Sequence, residues 1–301
     1  MNDNIYKIAD KIDLIKDSLN ANFLERKKAV DMIVLSVVSG KHSILIGGPG
    51  LAKTAVLKAL AGCVKGLKFF DFQMTPSAKI EELLSGGDAG DSLSNKNKIG
   101  IDNCDIALID EFFKGPHTTL NSLLSIMNER IIYYKNSDPV KIPLMSLFAS
   151  SNERPDKSSD SNLLPLYDRF LFRMEILPLK SEDNFKKLLE LNEAEIEINK
   201  NGSGIFLQKE DIDILDKAAE NVDIGNDILN RMFKIREELK NKQVIVSDRR
   251  WRETVKILKT AAVLSKRPYV AVEDLKMLEP SLWTYYSDIR AVRNVVGRLL
   301  K

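Results

Sequence analysis

The sequence is poor in the residues that usually declare a chemistry: its 301 residues include two cysteines, two histidines and two tryptophans. Cys63 and Cys104 lie far apart and have no partner spacing for zinc, and a chain this long needs no disulfide to hold a core. Both read as buried thiols suited to a reducing compartment. His42, before an apolar run, has no ligand partner; His117 opens a helical stretch, where a cap or surface role suits it better than catalysis. An excess of one charge is missing too. Lys and Arg number 45 against 43 Asp and Glu, a formal net charge of +2, which gives no argument for nucleic acid or a membrane surface, although a local basic patch stays open. No apolar run approaches the ~18 residues of a membrane span, and the start, Met-Asn-Asp-Asn-Ile-Tyr, lacks the charged and apolar regions of a signal peptide. A soluble, cytoplasmic protein is expected, without membrane insertion. Internal repeats and low-complexity tracts are absent, and at 44% hydrophobic and 29% charged residues the chain is of ordinary globular composition. Its length suggests about two domains.

What is present is organised around one stretch. Ser43 to Ile46 is a short apolar run of the buried-strand type, followed by Gly47-Gly-Pro-Gly-Leu-Ala-Lys-Thr54 and then an amphipathic helix to about Val64. Gly47, Gly48 and Gly50 let backbone N–H groups turn inward on phosphate oxygens, and Pro49, Leu51 and Ala55 complete the loop and the start of the helix. Lys53 supplies a charge for the β- and γ-phosphates, and Thr54 a hydroxyl for Mg²⁺. Ala52 departs from the usual pattern, which has glycine there. The position is expected to be already helical, where alanine is the better former.

A second motif completes what this loop lacks. In Asp105-Ile-Ala-Leu-Ile-Asp110-Glu111, four apolar residues make a buried strand and two carboxylates stand at its end. Asp110 suits Mg²⁺, which prefers hard oxygens and keeps several waters, and Glu111 suits polarisation of an attacking water. By themselves the two acids could instead cap a helix. A third strand, Leu144 to Ser150, delivers Ser151-Asn152. Asn152 there could bond the γ-phosphate or the lytic water, although an Asn after a strand also commonly makes a turn. Gln73 and Thr75, after the aromatic run Phe69 to Phe72, stand at another strand end, where a turn cap competes with a nucleotide contact.

Around these, two helices are predicted before the first strand, divided at Asn20-Ala-Asn22 and closed by Gly40. Further elements are a helix at Ser77 to Leu84, a polar glycine-rich loop over 86–98, a helix at Thr118 to Arg130, a hairpin over Ile131 to Ile142, and a last apolar run, Phe170 to Leu179. Beyond Pro178 and Lys180 only helical patterns appear: Phe185 to Leu191, Lys209 to Ala219, Asp227 to Lys240, Asp248 to Leu264, Val272 to Leu282 and Asp288 to Leu300. The chain is therefore divided into residues 1–179, an α/β nucleotide-binding domain with N-terminal helices, and 180–301, an all-helical domain.

As an ordered series, these motifs resemble the AAA+ ATPases and, more narrowly, the MoxR family and its RavA-type branch. Asn121-Ser-Leu-Leu-Ser-Ile-Met-Asn-Glu-Arg130, Leu166-Tyr-Asp-Arg-Phe170 and Val246-Ser-Asp-Arg-Arg-Trp251 extend the similarity over about residues 15 to 285. The resemblance implies a parallel sheet flanked by helices with an all-α lid, ATP and Mg²⁺ as ligands, and a homo-oligomeric ring, expected to be a hexamer. It implies Walker A at Lys53 and Thr54, Walker B at Asp110 and Glu111, and sensor 1 at Asn152. Arg169 would be an arginine finger for a neighbour's γ-phosphate, with Arg173 a weaker candidate. Arg250 would be sensor 2, with Arg249 adjacent and not separable from it. Phe23-Leu-Glu-Arg26 would run past the adenine. The implied activity is ATP hydrolysis that remodels or activates a partner protein, and the family resemblance suggests partners with a von Willebrand factor A domain. A nucleic-acid motor and a nucleotide-dependent switch of little turnover are the alternatives. RavA-type proteins continue beyond the lid, so the partner of that further region is not carried over.

Overall fold

A computed structural model describes residues 3–86, 99–133, 138–153, 163–190 and 205–300. Residues 87–98, most of the glycine-rich loop, lie outside the described residues, as do 134–137 in the hairpin and 191–204. Two amphipathic helices, α1 (Asp3–Asn22) and α2 (Lys27–Ser39), open the chain. The division between them falls at Phe23 to Arg26, just past the asparagines, where Glu25 takes the left-handed conformation (φ 57°). Gly40 closes α2 as expected, at φ 64°.

Five strands form one sheet: β1 (Ser43–Ile46), β3 (Phe69–Gln73), β4 (Ile106–Asp110), β7 (Ser146–Ser151) and β8 (Phe172–Glu175). Their order is β3-β4-β7-β1-β8, and every pairing is parallel. All residues of β1 and β7 are buried, as are Ile106 to Ile109 of β4. Strands apolar on both faces need helices on both sides, which α3 (Lys53–Gly62), α4 (His117–Glu129) and the N-terminal helices help to supply. The chain leaves β1, runs to the far edge at β3, and returns beside β1 at β7. Consequently the carboxyl ends of β1, β4 and β7 adjoin, the place where open α/β sheets bind ligands.

Short elements fill out the core. Val64–Lys65 (β2) pairs in parallel with Leu207–Gln208 (β9), a strand inside the region expected to be helical throughout. Among the described residues of the hairpin, β5 (Ile131–Ile132) pairs antiparallel with β6 (Val140–Lys141). The expected helix at Ser77 to Leu84 is a single 3-10 turn, Ile80–Leu83, capped by Glu82 accepting the Lys79 N–H at 2.8 Å.

Helices α5 (Leu164–Arg169), α6 (Glu182–Glu190), α7 (Lys209–Glu220), α8 (Asn226–Asn241) and α9 (Asp248–Leu264) follow. Val272–Leu278 is 3-10 and runs into α10 (Glu279–Leu282), with Pro280 in its first turn, before α11 (Ile289–Leu299). Within this C-terminal part Arg267 clasps Asp274 with two guanidinium nitrogens, at 2.9 and 2.7 Å. Helix α9 packs on α2 and α7, and Lys41, after α2, pairs with Glu253 of α9.

Candidate nucleotide site

Three strand ends supply the site. After β1 the chain passes so close to β8 that a Cβ on Gly47 would lie 2.4 Å from the Ile176 carbonyl oxygen, so only glycine fits without backbone movement. Gly50 sits at φ 74°. Ala52 corrects the sequence expectation: it precedes α3 in the left-handed conformation, at φ 60° and ψ 23°, and is not yet helical. Preference for alanine within helices does not explain it. Alanine is tolerated because its single methyl is the smallest side chain that can enter this region, at a cost of about 1–2 kcal/mol.

Lys53, the first residue of α3, donates to the Gly47 carbonyl, to the Gly48 carbonyl at 3.1 Å and to Asn152 Oδ1 at 2.7 Å. Partial burial lowers its pKa, a shift that the charges of Glu111 and Asp110 oppose. The Thr54 hydroxyl donates to Asp110 Oδ2 at 2.8 Å. Lys53, Thr54 and Asp110 therefore meet in one place, although Asp110 lies far from the other two in the sequence.

Glu111 leaves β4 in the left-handed conformation, φ 54° and ψ 40°. Its Oε1 accepts from Asn152 Nδ2 at 2.6 Å, and its Oε2 lies 3.5 Å from the Lys114 ammonium. Lys114 was not read from the sequence. Asn152 thus joins Lys53 to Glu111. A second unread residue, Ser150, is buried, donates to Asp110 Oδ1 and accepts the Glu111 N–H at 3.3 Å. It looked like one more residue of a buried strand, and only its tertiary neighbours set it apart.

The oxygen donors fit Mg²⁺. Among the described residues no group of three or more His, Cys, Asp or Glu side chains gathers for a metal, and Mg²⁺ needs no such cage, since one carboxylate, a hydroxyl, phosphate oxygens and water satisfy it. Thr54 and Asp110 are hard donors already within hydrogen-bond reach of each other. Gln73 and Thr75 are exposed; the Thr75 hydroxyl lies 3.5 Å from that of Ser77, as in a turn.

The arginines gather elsewhere, around Asp168. Arg250 is 3% exposed and donates to Asp168 Oδ1 at 2.7 Å and to the Thr284 hydroxyl at 3.1 Å. Burial works against the Asp168 charge, but Arg250 and the Ser247 hydroxyl outweigh it and hold its pKa below the ordinary value. Arg169 is partly exposed, 3.7 Å from the other Asp168 oxygen. Arg249 is exposed, which distinguishes it from Arg250, and its charge acts on Arg169. Arg173 is fully buried in β8, donating to the Trp283 and Tyr167 carbonyls; those bonds tie the sheet to the C-terminal part and to α5 and leave it no route to an outside phosphate. No hydrogen bond or ion pair described joins Arg169 or Arg250 to the Lys53 site of the same chain.

Two further residues, Arg130 and His42, have structural work. Arg130, at φ 59°, ends α4 and donates to the Met127, Gly40 and Met145 carbonyls. His42 is fully buried; its Nδ1 accepts the Leu147 N–H at 2.8 Å, and its Nε2 lies 3.0 Å from the Met127 carbonyl. In the Phe23 to Arg26 segment, Arg26 donates to the Leu51 carbonyl at 3.3 Å, so this segment does touch the phosphate loop.

Two family models match the chain. Residues 10–217 match the MoxR domain of the MoxR–vWA–β-propeller ternary systems, and residues 227–296 match an AAA lid domain. The chain belongs to the MoxR family. An uncharacterised protein of Methanocaldococcus jannaschii is 34% identical over 96% of this chain and 74% of its own length, and a second from the same organism is 33% identical over 90% and 71%. The crystal structure of a Cytophaga hutchinsonii protein assigned as an ATPase superposes with a TM-score of 0.77, covering 99% of this chain and 95% of that one at 18% identity. At that identity the likeness establishes the fold. The parallel sheet flanked by helices and the helical C-terminal lid are those of an AAA+ protein of the MoxR type, with a phosphate loop of the kind that binds nucleotide.

Proposed function

We propose that this MoxR-family chain is a Mg²⁺-dependent ATPase that works as a homo-oligomeric ring, a hexamer in our reading, and uses hydrolysis to remodel a partner protein. The observation that carries the catalytic part is the meeting of Lys53, Thr54, Asp110, Glu111 and Asn152 at three adjoining strand ends. In this reading the backbone of Gly47 to Ala52 and the Lys53 ammonium hold the phosphates, with Ala55 in the first turn of α3. Thr54 and Asp110 hold Mg²⁺, which when bound neutralises charge on the β- and γ-phosphates. Glu111 accepts hydrogen bonds from the attacking water and orients it, while Asn152 aligns the Glu111 carboxylate and the γ-phosphate.

The arginines support the ring. A phosphoryl-transfer site needs positive charge opposite Lys53, and Arg169 belongs to a cluster apart from its own phosphate loop. We assign Arg169 to the γ-phosphate of the neighbouring subunit. Arg250 in its buried pair with Asp168 then supports Arg169 from the lid, and sensor 2 contact with nucleotide requires either a lid movement that frees Arg250 or the exposed Arg249 in its place. The matched model's description supports a partner with a von Willebrand factor A domain, and the RavA-type likeness of the motifs is part of the same proposal. No described helix is long and apolar enough to cross a membrane.

Mixed oligomers test the reading. Arg169→Ala and Glu111→Gln subunits, each inactive alone, regain hydrolysis when mixed if each site combines one chain's Glu111 with another's Arg169. Absence of rescue in a mixture shown to co-assemble removes the shared site.

A further inference from the structure

We propose that Ser150 is a positioning residue that sets both carboxylates at the end of β4, and through them the affinity of the site for Mg²⁺. The inference rests on the assignment of Asp110 and Glu111 to metal and water. Ser150 lies on β7, which pairs with β4 in the register Ile109 to Ala149, so the next residues along the two strands are Asp110 and Ser150. From this position one hydroxyl serves two partners. It donates to Asp110 Oδ1 and accepts the N–H of Glu111 at 3.3 Å.

Each bond has a separate consequence. An ionised carboxylate has two oxygens to satisfy. With Ser150 on Oδ1, the Asp110 plane is fixed and Oδ2 is turned toward Thr54, which donates to it at 2.8 Å. The Thr54 and Asp110 oxygens are thereby held beside each other before any metal binds. The second bond holds the backbone at Glu111, which stands in the left-handed conformation at φ 54°. A non-glycine residue keeps that conformation only when its surroundings impose it. The N–H bond to Ser150 is one such constraint, and it determines where the Glu111 side chain leaves the strand.

Other buried serines of the chain behave differently. Ser39 donates to Leu35 O and Ser146 to Ser36 O, Ser36 donates to Met32 O and meets the Ser43 hydroxyl, and Ser151 bonds the Glu153 backbone, so none of these described bonds goes to a carboxylate. The partners of Ser150 are instead the two acidic residues Asp110 and Glu111, and Ser150 is itself 2% exposed, so loss of its hydroxyl leaves them without this buried partner. Residues that orient metal ligands from behind are commonly worth about 10–100-fold in metal affinity or activity.

The test is the binding of a fluorescent ATP analogue to the full chain with and without Mg²⁺, alongside hydrolysis as Mg²⁺ is varied. For Ser150→Ala we expect metal-free nucleotide affinity to be retained, the tightening produced by Mg²⁺ to fall by about tenfold, and the Mg²⁺ needed for half-maximal hydrolysis to rise by a similar factor. Ser150→Thr, which keeps the hydroxyl, restores most of both. If Ser150→Ala cannot be folded, Ser150→Cys, a weaker donor of similar size, carries the same expectation at smaller amplitude. A variant that loses thermal stability while its Mg²⁺ dependence stays that of the wild type overturns the proposal and leaves the ATPase reading standing. A wild-type protein whose nucleotide binding ignores Mg²⁺ overturns both.

Discussion

Asn152 Nδ2 donates to Glu111 Oε1 at 2.6 Å. The orientation of the amide is dictated by chemistry: a carboxylate can only accept, and the lysine ammonium on the other side can only donate, to Asn152 Oδ1 at 2.7 Å. Asn152 is therefore the link between Lys53 and Glu111, the residues to which we assign phosphate binding and water orientation.

Removing that link should cost turnover more than binding. Asn152→Ala is expected to lower kcat by about 10²-fold, in the range of a lost polar contact to a reacting centre, with nucleotide affinity within a few-fold of wild type. Asn152→Asp is expected to be worse, because its second negative charge opposes Glu111 and neutralises Lys53. Steady-state hydrolysis with equilibrium nucleotide binding separates the two effects.

Backbone geometry of the phosphate loop makes a second prediction. Gly47→Ala drives a Cβ against the Ile176 backbone and should destabilise the fold by about 1–3 kcal/mol, as overpacking does. Ala52→Val forces a β-branched residue to φ 60° and should weaken nucleotide binding tenfold or more, whereas Ala52→Gly should bind at least as well as wild type. Urea unfolding reads the first and nucleotide titration the second.

Arg250 should matter first to stability. Breaking a buried pair from one side costs about 3–5 kcal/mol; because Asp168 is 24% exposed, we expect about 2–3 kcal/mol for Arg250→Ala. A double-mutant cycle with Asp168→Asn in urea unfolding should show strong coupling. Loss of ATP affinity at unchanged stability would instead place Arg250 on the nucleotide.

His42 predicts a pH effect. Burial, helped by the charge of Arg130, holds its pKa well below the ordinary value, so below about pH 6.5 the unfolded chain binds a proton that the folded chain refuses. Its contribution to stability is therefore complete above pH ~6.5 and declines on acidification, by up to about 1.4 kcal/mol per pH unit until the folded-state pKa is reached. Urea unfolding of wild type and His42→Gln between about pH 5 and 7 should show the steeper slope in the wild type.

Much of this was legible in the sequence, for identifiable reasons. The strand at Ser43 to Ile46, the Gly40 cap, α9 and the acids at the end of β4 follow from burial pattern and local chemistry. Tertiary relations did not. Two-residue strands such as Val64–Lys65 have no periodicity to read, and their partner lies far along the chain. Ala52 was misjudged because helix preference says nothing about a loop that must turn first. Arg169, Arg173 and Arg250 look alike as letters and differ only in burial, which Asp168, Trp283 and Thr284 decide. Ser150 carried no signal beyond its place in an apolar strand.

The most direct test of the central claim is Glu111→Gln, which keeps the shape of the side chain and removes its charge. Nucleotide binding and ATP hydrolysis are measured on the same Mg²⁺-loaded preparation. We predict ATP affinity within a few-fold of wild type and hydrolysis slower by about 10²-fold or more. Hydrolysis at the wild-type rate would contradict the account.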